Sequence, residues 1–349
     1  MGIYWFNLFS ILFYALALHV LSNKTKLPER SLFCIIIFLQ WFVLAVFRAE
    51  TVGWDTPTYI HVFNDLSNRN LSEQRFEPLY LGLNLLIGEI TQNYLLLFAA
   101  IATIAYYGIL TAIYRMSAIV WFSVFLFVAF GFFNFSINIL RQTIALSFVM
   151  LSFRYIISRD ILKFLGIITI AVMFHYSALF FVVTYFLYKI PISLKSYIFF
   201  WIVCAFVSFI LFPKFGSGLI MSLNYYSHYL NEGNEGGYGM LAMLTATSIG
   251  CLILKPVQLN NTTRLWYVML YIASGLQLIS IQFSIFVRVI LYWQIGMIFI
   301  FPALLSSLQK PANRYIVFSV ALAASILYFY MYVTTYSEVN GTTPYKSIL

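Results

Sequence analysis

Of 349 residues, 62% are hydrophobic and 9% are charged, far from the roughly 25% charged share of a soluble domain, so the chain belongs in lipid. The formal net charge of +9 comes from Lys and Arg in short loops between apolar runs. That is the pattern of loops facing an anionic leaflet, and no nucleic-acid partner is expected. Cys34, Cys204 and Cys251 lie inside apolar runs without metal-ligand spacing, so they argue for neither disulfides nor a metal, and no cofactor is expected.

In chain order, runs approaching the ~20 residues that a spanning helix needs cover 3–21, 31–47, 93–113, 118–134, 139–157, 196–212, 239–254, 264–281, 288–307 and 313–334. The first run lacks a basic leader and a small-residue cleavage site, so it reads as a retained helix. Residues 163–188 are long for one span and carry His175 at the middle, followed by Ser177, a residue type suited to start a helix. Loop charges favour two short helices there. With the N-terminus outside, that reading leaves 13 of 20 Lys and Arg on the cytoplasmic side, against 10 of 20 for a single span. The expectation is an all-α, polytopic membrane helical bundle of about 12 helices. It forms one domain over 1–349, with both termini outside and longer non-cytoplasmic segments at about 48–92 and 213–238. Within the first of these, residues 79–90 are too short to span comfortably and suit an interfacial or re-entrant helix. The second is rich in Gly, Asn and Tyr and suits a mobile lid.

Charges near helix ends then carry information, since an Arg at the bilayer centre costs at least about 2.5–3.5 kcal/mol. Arg141 lies in NILRQTIA, Arg288 in QFSIFVRVILYW, and Arg48 follows LAVF, all at the non-cytoplasmic face in this topology. Three guanidiniums on one face suit a polyanion, with a diphosphate the natural candidate. The alternatives are that each head snorkels to the interface or pairs with Asp55, Asp65, Glu73 or Glu77. In RAETVGWDTPTY, Gly53 permits a tight turn, Pro57 fixes the backbone, and Asp55 stands between them as acceptor or base. Glu77 in FEPLY precedes a Pro that opens an apolar segment, so helix-start chemistry competes with catalysis. His175 sits at the hairpin apex as a candidate base, with a packing hydrogen bond as the plain alternative. HExxH, P-loop, GxSxG and Cys–His signatures are all absent from the sequence.

Together, RAETVGWDTPTY, EPLY, NILRQTIA, FHYSAL and YYSHYL, in this order among hydrophobic helices, resemble the EpsG/Wzy family from about residue 30 to residue 300. The resemblance implies a metal-independent glycosyltransferase of the bacterial cytoplasmic membrane, similar in fold to the membrane-embedded GT-C class and to O-antigen ligases. Such a protein joins undecaprenyl-diphosphate-linked oligosaccharides, as donor and acceptor, into O-antigen, capsule or exopolysaccharide outside that membrane. On this reading Arg48, Arg141 and Arg288 hold the diphosphate, and His175 is the first-choice base with Asp55 and Glu77 as alternatives. Asn138, Gln142, Tyr225 and Tyr229 line the substrate. Membrane lipids are expected partners, and a chain-length regulator follows from the resemblance alone. An O-antigen ligase-like transferase, or a flippase for the same lipid-linked sugars, is the competing reading.

Overall fold

A computed structural model describes residues 1–25, 28–70, 76–216, 237–254, 259–282, 286–336 and 341–348. Among these residues the regular structure is helical. The N-terminal half comprises α1 (Gly2–Thr25), α2 (Glu29–Val46), α3 (Thr56–Ser67), α4 (Pro78–Gly88), α5 (Tyr94–Met116), α6 (Val120–Ala129), α7 (Phe132–Asn138) and α8 (Leu140–Ser158). Then come α9 (Ile161–Phe174), a 3-10 turn over Tyr176–Val182 running into α10 (Val183–Leu187), and α11 (Leu194–Phe206). The remainder is α12 (Tyr238–Ile253), α13 (Asn261–Gln282), α14 (Phe286–Gln294), α15 (Met297–Ser307) and α16 (Pro311–Met331).

Eight of the described helices are long and apolar enough to cross a membrane, or nine if the bent pair α6 and α7 counts as one span. The bend is 62°. It occurs at Gly131, whose φ of +78° is strained for any residue with a Cβ, and whose missing side chain admits the Tyr332 ring. Side-chain and Pro signals start several helices: Asn93 accepts from Leu95 N at 2.9 Å, Asp160 from Lys163 N at 3.2 Å, and Pro78 opens α4.

The stretch from 161 to 187 folds back on itself. Phe164 stacks on Tyr185 with ring centroids 5.2 Å apart, and Tyr185 Oη donates to the Arg159 carbonyl at 2.7 Å. The hairpin apex is His175, in extended backbone (φ −159°, ψ 116°). Ser177, expected to begin the second arm, instead hydrogen-bonds the Tyr292 hydroxyl at 3.1 Å. At 14 residues, α9 is about 21 Å long, shorter than a hydrocarbon core of about 30 Å.

The helices alternate between two ends of the bundle. At one end α2 finishes, α5, α8 and α14 begin, and the hairpin turns. This is the site end. The segment 48–92, read from sequence as a loop, contains α3 as well as α4; α3 buries Tyr59, Val62, Phe63 and Leu66 against the bundle. A strap at the chain's C-terminal end closes over the same region. Ala49 N donates to Lys346 O at 2.8 Å, Gly53 N to Gly341 O at 2.7 Å, and Ile348 N to Phe47 O at 2.9 Å. Tyr345 Oη donates to Leu44 O at 2.9 Å.

Candidate active site

The Pro of FEPLY forces Glu77 into an extended conformation (ψ 148°), and its carboxylate makes no capping bond to α4. It turns instead to three donors. Arg141 Nη1, one residue into α8, donates to Oε2, while His175 Nδ1 lies 2.9 Å and Tyr176 N 3.2 Å from Oε1. The Glu77 side chain is only 3% exposed, and those of Arg141 and His175 are 14% exposed each, so the pairing is shielded from water. Arg141 is further held over the Phe76 ring at 4.2 Å and lies close to Tyr59.

Glu77 precedes α4 and lies outside the spanning helices. Burial alone would raise its pKa, but the His175 hydrogen bond and the Arg141 charge outweigh that and pull it down to about 2. His175, at the hairpin turn, is held below the ordinary histidine value by burial, with the Glu77 carboxylate opposing. The two shifts agree on one state: a carboxylate anion beside a neutral imidazole. If Nδ1 carries the proton toward Glu77, Nε2 is left as the acceptor.

A looser ion pair sits beside this cluster. Arg288 Nη2 lies 3.8 Å from Asp55 Oδ2, with side chains 39% and 31% exposed. Gln142 Nε2 donates to the Arg288 carbonyl, and Asn138 Oδ1 accepts from Asp55 N at 3.0 Å, so both buried amides tie the α7–α8 junction to the two arms of the pair. Gly53, with φ +94°, makes the Asp55 turn possible, and a Cβ there would meet Thr56 Oγ1 at 2.9 Å and Asn138 at 3.1 Å.

The chain matches the EpsG family over residues 31–347. It belongs to the EpsG family. EpsG is a Wzy-type polymerase family, so this is a multi-pass membrane protein of polysaccharide polymerase type. No curated protein and no solved structure matches the chain.

In this EpsG-family chain, five of the residues singled out from sequence come together: Asp55, Glu77, Arg141, His175 and Arg288, with Asn138 and Gln142 bracing them. Arg48 is not brought into the cluster. It is 1% exposed, donates to Ala45 O and to Thr56 Oγ1 at 3.4 Å, and lies over the Phe98 ring at 4.4 Å. Its guanidinium pins the end of α2 to the Asp55 turn. Tyr225 and Tyr229 lie outside the described residues, as do Tyr226 and Glu73.

Sequence reasoning passed over Tyr59, Phe76 and Tyr292, which surround Arg141 and His175. For Tyr59 the signal was present, because its spacing with Val62, Phe63 and Leu66 is that of an amphipathic helix. The aromatic richness of the chain concealed the other two. Among the described residues no group of three or more His, Cys, Asp or Glu is placed to hold a metal ion.

Proposed function

We propose that this chain is a glycosyltransferase that polymerises oligosaccharide repeat units carried on undecaprenyl diphosphate, at the non-cytoplasmic face of the bacterial cytoplasmic membrane. The observation that carries the reading is the Glu77 carboxylate shared between Arg141 and His175, a buried base–orienter pair beside a cationic flank. Topology supports it. Arg30, Arg115, Arg159, Lys189, Arg264, Lys310 and Arg314 all fall at the end of the bundle opposite the site, as expected for the cytoplasmic side.

In the proposed step, an acceptor-sugar hydroxyl attacks the anomeric carbon of the diphosphate-linked chain. The hydroxyl proton passes to His175 Nε2, the new C–O bond forms, and the anomeric C–O bond to phosphate breaks with its electron pair leaving on the lipid diphosphate. Configuration inverts. Glu77 holds the Nδ1 tautomer and stabilises the imidazolium as it forms. Arg288, and Arg141 behind it, stabilise negative charge on the departing diphosphate. Arg288 is placed to exchange its partner Asp55 for that phosphate.

The test is chain growth by the purified protein in nanodiscs, supplied with lipid-linked repeat units alone and no lipid A. Products longer than one repeat, lost in His175→Ala and in Arg141→Lys, support the reading, since a Lys ammonium cannot reproduce the planar guanidinium held between Glu77 and the Phe76 ring. Normal polymer from both variants removes its basis, and growth only when lipid A is supplied assigns a ligase instead.

A further inference from the structure

At the end of the bundle opposite Glu77 lies a cavity of about 390 Å³ lined by Ile157, Arg159, Tyr188, Lys189, Asn261 and Arg264. Three cations line it. Among the described residues none of the three pairs with a carboxylate; Arg264 Nη1 donates to Ile190 O at 3.1 Å, and Arg159 Nη1 to Tyr185 O at 2.5 Å. A guanidinium carries five N–H donors, so each retains fork capacity after one carbonyl is served. Helix α13 opens at Asn261 without an acidic residue in its first turn, which leaves its N-terminal partial charge to add to the cations.

The backbone at Arg159 is the second observation. This residue caps α8 in the left-handed region, φ +59°, with Asp160 N donating to Tyr155 O at 3.0 Å. The position ordinarily takes Gly, because a Cβ is strained there. Arg159 carries that strain, and its guanidinium is held 3.9 Å from the Tyr185 ring centroid and 5.8 Å from that of Tyr188, which lines the cavity with it.

We propose that this cavity binds an anionic phosphate group, held by Arg159, Lys189 and Arg264, in a site separate from the sugar-transfer centre. Either a phospholipid headgroup or a soluble phosphate carries that chemistry. The site stands on its own geometry and does not depend on the polymerase mechanism.

The test uses the full-length protein in detergent, titrated with phosphatidylglycerol or phosphatidylcholine and read by native mass spectrometry. The Arg159→Gly variant relieves backbone strain while removing one cation, so lost binding with retained or raised thermal stability separates ligand contact from folding. Arg159→Gly should weaken phosphatidylglycerol binding severalfold. Adding Lys189→Gln and Arg264→Gln should weaken it by about tenfold or more, ~1.4 kcal/mol. A control with Arg115→Gln, Lys310→Gln and Arg314→Gln removes as much charge from the same end and should stay within about twofold of the parent. Equal losses in the cavity variant and this control, or no loss in either, overturn the proposal. Competition by millimolar inorganic phosphate identifies a soluble ligand; retention of phosphatidylglycerol against it identifies the lipid headgroup.

Discussion

Replacing Glu77 by Gln tests the shared carboxylate most directly. Two oxygens serve three donors in the native chain: Oε2 takes Arg141, and Oε1 takes His175 and Tyr176. An amide has one acceptor oxygen and an NH2 in place of the other, so in either flip a donor meets a donor. In either flip Arg141, at 14% exposure, loses its counter-charge; with the NH2 toward Arg141 that hydrogen bond goes as well, and with it toward Oε1's place the bonds from His175 and Tyr176 are disturbed instead. Removing one partner of a buried pair costs about 3–5 kcal/mol, mostly from the charge left behind. Arg141→Gln should cost a similar amount, stranding the carboxylate. The double variant, however, strands no charge and should cost less than the sum of the two by at least about 2 kcal/mol. The assay is a double-mutant cycle on equilibrium unfolding of the purified protein in mixed micelles. Additivity within about 0.5 kcal/mol would mean that the two groups do not act as a pair and would refute the reasoning.

Chain-growth rate against pH should stay flat down to the ordinary histidine value of 6.5 and fall only below it, because burial holds His175 neutral. A folded-state value below the unfolded one also means that stability is present above 6.5 and is lost as pH falls through the folded value. In Glu77→Gln the acid limb should move further down, since the carboxylate that raises the imidazole is gone; movement to higher pH would contradict the dyad. Arg48→Met should lower the amount of folded protein, seen by size-exclusion chromatography, while the folded fraction binds lipid diphosphate as the parent does. Reduced binding without loss of folding would instead return Arg48 to the site. Gly53→Val should abolish activity with the bundle intact by circular dichroism, because it strains a left-handed turn and crowds Asn138.

The spans were legible because a bilayer imposes length and hydropathy on each helix separately. The ten clear runs and both arms of 163–188 all meet helix, and the two arms stack through Phe164 and Tyr185, but eight or nine of the described helices are long enough to cross; α9, the second arm and α12 are shorter. Pairing was not legible. Glu77 and Arg141 are 64 residues apart, and Glu77 and His175 98 apart, distances at which a single sequence offers candidate partners but no choice among them. The strap over 341–348 escaped for another reason: it is held by backbone bonds to residues 47–53, and backbone groups leave no residue-type signature. Arg48 misled because its position at a helix end is equally that of a surface cation and of a buried clasp, and only packing distinguishes them.

On the proposed function, the phosphate-holding site is not a set of free cations. Three bare guanidiniums close together would repel one another whenever substrate is absent. Here each has an internal acceptor, and the acceptors differ in how easily they yield. Arg141 is locked to a carboxylate that is almost fully enclosed, and displacing it would leave Glu77 buried and unpaired. Arg288 stands 3.8 Å from an Asp55 that is itself about one-third exposed, a pairing worth at most about 1 kcal/mol. On the proposed function, an incoming diphosphate takes Arg288 from Asp55 at small cost, whereas Arg141 contributes its charge through a fixed assembly. The two arginines should separate kinetically. Arg288→Gln should raise KM for the lipid-linked donor by about tenfold with a smaller effect on kcat, while Arg141→Gln should act mainly on kcat by disturbing the Glu77–His175 geometry. The same KM effect from both would show that they hold substrate as equivalents, and the distinction between an exchangeable and a fixed cation would fail.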